Sequence, residues 1–268
     1  TCPFVDSASY ATASGSELKN NTCADESFSQ KNVLWEFSAS DDADLGFTFA
    51  DPIIAKVNFD AGYNYSVGTE RNGNGKGRWA AIVSNGYNSA NGRAVLYVLF
   101  LDGGLDGVWT EGIDYIKLYA SNASVDKASS KNGLSSPTAI DINEDGIVDR
   151  IYAGDLKGQM WSFDVSNLAS STMYSSTPST MPWQTNKLFT TGASGDPQPI
   201  TTAPMVSRDK GYGRPLPRVS PDLMVMFGTG QYLTQGDLKD KSLQAIYGVH
   251  DRGVYNLNRF DTVSDGTT

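Results

Sequence analysis

Apolar and polar residues alternate with a period of two along most of this chain, in short runs closed by Gly, Asn, Asp or Pro. That pattern predicts half-buried β-strands rather than helices. The runs also recur as sets. One set is Pro52-Ile53-Ile54-Ala55-Lys56-Val57, Trp79-Ala80-Ala81-Ile82-Val83-Ser84-Asn85-Gly86 and Ala94-Val95-Leu96-Tyr97-Val98-Leu99. A second is Pro137-Thr138-Ala139-Ile140-Asp141-Ile142, Arg150-Ile151-Tyr152-Ala153-Gly154-Asp155 and Gln159-Met160-Trp161-Ser162-Phe163-Asp164. A third is Pro204-Met205-Val206, Leu223-Met224-Val225-Met226-Phe227-Gly228-Thr229-Gly230 and Gln244-Ala245-Ile246-Tyr247-Gly248-Val249. Each set opens on a proline at a strand entry, where no ladder donor is needed, turns through small residues after its second strand, and carries an aromatic in its third.

Upstream, Val33-Leu34-Trp35-Glu36-Phe37 matches the third strand of a further unit, and the stretches 113–120 and 187–191 are candidates for outer fourth strands. Units of three or four strands that repeat in this way predict an all-β fold, a β-propeller whose blades bury their faces against one another. The chain holds three such blades and part of a fourth, a partial ring, because a closed propeller needs about four to eight. A β-sandwich is the alternative. The division expected is an N-terminal segment, 1–32, followed by a propeller region, 33–268. The long connections, 58–78, 166–185 and 207–222, fall where recognition usually sits on a rigid scaffold.

Composition changes this picture in two respects. The 268 residues include 27 glycines and 13 tyrosines with only 39% hydrophobic residues, which suits short strands and turns. The formal charge of −9 disfavours a nucleic-acid partner, since phosphate binding depends on Lys and Arg. No run of about 18 apolar residues predicts a membrane span. The start at Thr1-Cys2 is of the kind expected for a mature product or an excised fragment. Cys2 and Cys23 enclose a polar N-terminal loop and read as a disulfide formed in an oxidising compartment, two unrelated free thiols being the alternative. The single histidine, His250, disfavours a zinc site and histidine-dependent nucleophilic catalysis.

The sharpest candidate chemistry is the loop Asp141-Ile142-Asn143-Glu144-Asp145-Gly146-Ile147-Val148-Asp149. Asp141, Asn143, Asp145 and Asp149 stand at its positions 1, 3, 5 and 9, with Gly146 at position 6 for the sharp turn and Ile147 at position 7 to offer a carbonyl. Alternate residues of a tightly curled loop aim oxygens at one centre, and calcium wants six to eight of them. An all-oxygen set of three carboxylates and an amide excludes zinc or copper as the intended metal. Position 12 is Tyr152 rather than Glu and the flanks are strand-like, so the loop is expected as a hairpin between a blade's first two strands, not as an EF-hand.

Other features carry less. Gly228-Thr229-Gly230 reads as a blade turn, since no P-loop Lys follows. Asp106, Asp155 and Asp196 stand as isolated carboxylates, and His250-Asp251-Arg252 sits at a strand end. Trp35, Trp79 and Trp161 are expected in the core. Trp109 and Trp183, in loops, are candidates for exposed, adhesive positions.

Taken together and in order, Val33-Leu34-Trp35-Glu36-Phe37, Asn85-Gly86-Tyr87-Asn88, the loop 141–149 running into Tyr152-Ala153-Gly154-Asp155-Leu156-Lys157-Gly158-Gln159-Met160-Trp161-Ser162-Phe163-Asp164, Met226-Phe227-Gly228-Thr229-Gly230-Gln231-Tyr232-Leu233 and Ala245-Ile246-Tyr247-Gly248 resemble the C-terminal propeller of the PilY/PilC family. These are type IV pilus tip-associated adhesins and biogenesis factors. The resemblance covers roughly residues 33–252 and implies that the fold is a modified β-propeller. It implies a non-enzymatic, calcium-dependent module at the pilus tip or cell surface that acts in the balance of pilus extension and retraction. It also implies contact with minor pilins and with host or abiotic surfaces, and ligand roles for Asp141, Asn143, Asp145, Ile147 and Asp149. The turn Phe100-Leu101-Asp102-Gly103-Gly104 departs from the family's Asp-x-x-Thr-Gly. Two other classes stand beside this reading: a quinoprotein-like calcium-containing dehydrogenase, and a calcium-dependent lectin or receptor-type adhesion domain.

Overall fold

The structure is a computed structural model, and it describes residues 33–60, 77–120, 131–167, 169–170, 182–192, 198–208 and 223–251. The N-terminal segment with Cys2 and Cys23, and Asp196, lie outside the described residues. Thirteen strands are described: β1 (Ile53–Val57), β2 (Phe59–Asp60), β3 (Arg78–Ser84), β4 (Val95–Phe100), β5 (Tyr115–Tyr119), β6 (Thr138–Ile140), β7 (Arg150–Gly154), β8 (Gln159–Asp164), β9 (Ala169–Ser170), β10 (Gln184–Thr190), β11 (Met205–Arg208), β12 (Leu223–Gly228) and β13 (Ile246–Asp251). They form antiparallel blades in the order β1-β3-β4-β5, then β6-β7-β8-β10, then β11-β12-β13. The outer strands expected near 113–120 and 187–191 are β5 and β10. Among the described residues the third blade has three strands and the sheets close no ring.

Alternation along the strands decides which neighbour each blade meets. On β7, Ile151 and Ala153 point toward the first blade, where they join Ile82, Leu96, Val98, Phe100, Ile116, Trp161 and Phe163 in the largest buried cluster. Tyr152, between them in sequence, points the other way. With Met160 it meets Leu223, Val225 and Phe227 of the third blade. Strand β4 is buried along its whole length because both of its faces are covered, as a strand between two packed layers must be. Each large side chain enclosed in this way contributes roughly 1.5–3 kcal/mol.

The second cover of the first blade is a correction to the sequence reading. Residues 33–38 form no strand. Instead Trp35, Phe37 and Leu45 lie across the first blade's far face, against Tyr97, Leu99 and Tyr115. Trp109 packs edge-on to Trp35 at 5.1 Å and donates its indole N–H to the Glu36 carbonyl at 2.7 Å. Trp109 is thus half-buried and tied down, and Trp183 is buried, so neither loop tryptophan is a free adhesive residue. Trp79, expected in the core, is 52% exposed, because it stands opposite Lys56 near the end of the β1–β3 ladder.

A polar residue follows the second strand of every blade and pins the third. Asn85 N–H donates to the Val95 carbonyl, and its Oδ1 accepts the Val95 N–H at 3.0 Å. Asp155 N–H donates to the Gln159 carbonyl, and its Oδ1 accepts the Gln159 N–H at 2.8 Å. Thr229 does the same with Ala245, its Oγ1 accepting at 2.8 Å.

Candidate metal centre

The acidic loop is the hairpin between β6 and β7, as its strand-like flanks predict. Its curl is held by its own side chains, in the Asx-turn manner open to Asp and Asn. Asp141 Oδ1 accepts the N–H groups of Glu144 at 2.7 Å and Asp145 at 3.2 Å, and its Oδ2 accepts that of Gly146 at 2.7 Å. Asn143 Oδ1 accepts the Asp145 N–H at 2.9 Å, and Asp145 Oδ1 accepts the Ile147 N–H at 3.0 Å. Asp149 Oδ2 closes the ring, accepting from Ile142 at 2.7 Å and Asn143 at 3.3 Å. Gly146 takes φ +84°, with open space where a Cβ would stand, a backbone state costly for other residues.

Repulsion among the three carboxylates is thus offset by backbone N–H groups directed at them. The loop is anchored at its base: Ile147 and Val148 are buried, and Val148 N–H donates to the Lys56 carbonyl of the first blade at 2.9 Å. The donor set fits a hard cation in type and in order. Asp145 and Asp149, which take one and two backbone N–H groups, retain lone pairs for a metal, and Asp141, which takes three, retains fewer. The Ile147 carbonyl would be a further oxygen. Among the described residues, no three His, Cys, Asp or Glu side chains are already gathered at metal-holding separation. A cation would therefore draw Asp141, Asp145 and Asp149 closer together.

Two neighbours of the loop were not legible in sequence. A cleft of about 400 Å³ lies beside it, lined by Lys56, Trp79, Asp145, Gly146 and Ile147, with the Lys56 ammonium 5.4 Å from the Trp79 ring centre. The second is Arg208 at the end of β11, which donates from Nη2 to the Ile142 carbonyl and pairs with Glu144 at 3.2 Å. Of the lesser candidates, Asp155 is fully buried and far from isolated: Asn132, Trp161 and two backbone N–H groups donate to it. Asp251 accepts from Tyr152 and Arg150 across the blade 2–blade 3 interface. His250 is half-buried on β13 opposite Met224. No helix among the described residues is long and apolar enough to cross a membrane.

Stacked antiparallel blades with an acidic, Asx-curled hairpin at one blade entry define a β-propeller module. A family model described as the PilY1 beta-propeller domain matches residues 29–260, and the chain belongs to that family. It is 30% identical over 241 residues to a type IV pilus biogenesis factor PilY1 homolog of Xylella fastidiosa, a match covering 84% of this chain and 13% of that protein. It is also 30% identical over 240 residues to the type IV pilus biogenesis factor PilY1 of Pseudomonas aeruginosa, covering 82% of this chain and 17% of that one. The crystal structure of the Pseudomonas aeruginosa PilY1 C-terminal domain is similar with a TM-score of 0.58 and 28% identity, over 82% of this chain and 40% of the solved one. The chain thus spans less than a fifth of the curated relatives it matches.

Proposed function

We propose that this chain is the calcium-binding, non-enzymatic propeller portion of a type IV pilus biogenesis factor. It is exported to the bacterial surface, where it acts in pilus assembly, in the balance of extension and retraction, and in surface attachment. Its partners are other components of the pilus tip, minor pilins first among them. The family assignment supports the pilus part of this reading, through the names its relatives carry. The calcium part rests on the loop. Asp141 takes three N–H groups, and the side chains of Asn143, Asp145 and Asp149 face the same short ring. Asp141, Asn143, Asp145, Ile147 and Asp149 would hold the ion. Its double charge would neutralise the carboxylates and stiffen the hairpin between β6 and β7.

The test is calcium titration by calorimetry on the wild type and on Asp145→Asn and Asp149→Asn, which keep an acceptor oxygen while removing charge. One site per chain is expected, weakened about tenfold or more in each variant, since affinity in such loops follows ligand charge. Absence of heat, with equal melting in calcium and in EDTA, would refute the calcium assignment. A pilus assembly or twitching defect in a strain carrying Asp149→Asn is the expected cellular counterpart.

A further inference from the structure

The contact of Arg208 with the acidic loop assigns this residue a role that the candidate ligand set does not include. The peptide between Ile142 and Asn143 is gripped on both sides. Its carbonyl accepts from the Arg208 guanidinium, and its N–H donates to Asp149 Oδ2 at 3.3 Å, the oxygen that also takes the Ile142 N–H at 2.7 Å. One planar unit therefore joins the last carboxylate of the loop to a side chain of the third blade, and a shift of Asp149 toward a cation moves it. Hydrogen bonds in series through a peptide also polarise one another.

Arg208 stands opposite Leu223, a fully buried residue of the third blade's core. The residue after Asp149 reaches the same blade by another path: Arg150 Nη1 lies 3.2 Å from Asp251 Oδ2. The two ties therefore run from either side of Asp149 to the two outer strands of one sheet. The Arg208–Glu144 ion pair is exposed and contributes little by itself. The significant contact is the one to the Ile142 carbonyl.

We propose that Arg208 is the positioning residue through which the third blade senses calcium in the loop. Calcium at Asp149 and docking of β11 reinforce one another through the Ile142–Asn143 peptide. This rests on the calcium reading of the loop and adds a direction to it. Electrostatics alone predicts the opposite sign, because a guanidinium near the loop repels a divalent cation, and its removal would tighten binding. The relay predicts weaker binding when Arg208 is lost, and by linkage weaker protection of the blade when calcium is removed.

The experiment is calcium calorimetry together with amide hydrogen exchange at β11 and β12, with calcium and with EDTA. It compares wild type, Arg208→Ala, Arg208→Lys and Glu144→Gln, all in the whole chain. Arg208 is about half exposed, so its variants are expected to fold. The relay predicts calcium binding about fivefold or more weaker in Arg208→Ala, within the usual span of coupled sites, with an intermediate loss in Arg208→Lys. Calcium-dependent protection of β11 and β12 is lost in Arg208→Ala and kept in Glu144→Gln, which leaves the carbonyl contact in place. Equal or tighter binding in Arg208→Ala, or protection that persists there, overturns the relay while leaving the calcium site standing. A wild type that takes up no calcium removes the site and the relay together.

Discussion

Asp155 Oδ2 accepts the indole N–H of Trp161 at 2.9 Å, with the carboxylate fully buried between the second blade and the segment that enters it. The same oxygen accepts from Asn132 Nδ2 at 3.0 Å, and Oδ1 accepts the N–H groups of Lys157 and Gln159. The group holds four donors and three parts of the chain at once. Burial pushes its pKa up, against the pull of those donors.

Asp155→Asn is therefore expected to destabilise the chain despite its near-identical shape. One oxygen becomes an NH2 that faces donors, and a buried donor left unpaired costs about 1–3 kcal/mol. Urea unfolding of the variant against wild type measures this directly. The equivalent change at exposed Asp106 is expected to be silent.

Gly133 predicts a close-packing effect. A Cβ there would stand 2.0 Å from the Gly86 carbonyl oxygen, backbone that cannot swing aside. Gly133→Ala should lower the urea midpoint by the equivalent of about 2 kcal/mol or more, in the range of overpacked sites. Gly248→Ala, whose Cβ would meet only the Met224 sulfur at 3.6 Å, should cost almost nothing.

The two strand tryptophans should separate sharply. Trp161 is 7% exposed and Trp79 is 52% exposed. Trp161→Ala is expected to lose about 3–5 kcal/mol, the usual cost of emptying an aromatic core site. Trp79→Ala should lose well under half of that, read from the same denaturant curves.

Asp42 gives a pH dependence. Burial alone would raise its pKa, but Lys117 at 2.7 Å, the Asp44 N–H and the Tyr115 hydroxyl hold it below the usual carboxylate range. A depressed folded-state pKa contributes stability above the unfolded value that is lost as pH falls through the folded one. The stability gap between wild type and Asp42→Asn should thus be complete at neutral pH and shrink below about pH 4. Denaturant melts at several pH values read this gap.

The strand sets and the acidic hairpin between β6 and β7 were legible because both are local patterns. Alternation fixes a strand, and the spacing of Asp141, Asn143, Asp145 and Asp149 fixes which oxygens a curled loop can turn inward. The expected order of strands within each blade holds in all three. Val33-Leu34-Trp35-Glu36-Phe37 misled because an alternating aromatic run reads the same whether it pairs in a sheet or lies across one. Trp79 misled because position on a strand does not tell whether another layer covers it. Asp155 looked isolated because Asn132 and Trp161 reach it only once two connections have folded together.

By itself the sequence determined the all-β class, the blade-like repeats and the place of the acidic loop between two strands of a blade. Short-range periodicity and turn chemistry carry that information. Tertiary structure alone decided which face of each strand meets which blade, that 33–47 covers the first blade instead of starting another, and that Arg208 reaches Ile142 from 66 residues away. Those outcomes depend on contacts between distant segments, whose partners are chosen by packing and by the need to satisfy buried polar groups, and no local pattern records that choice.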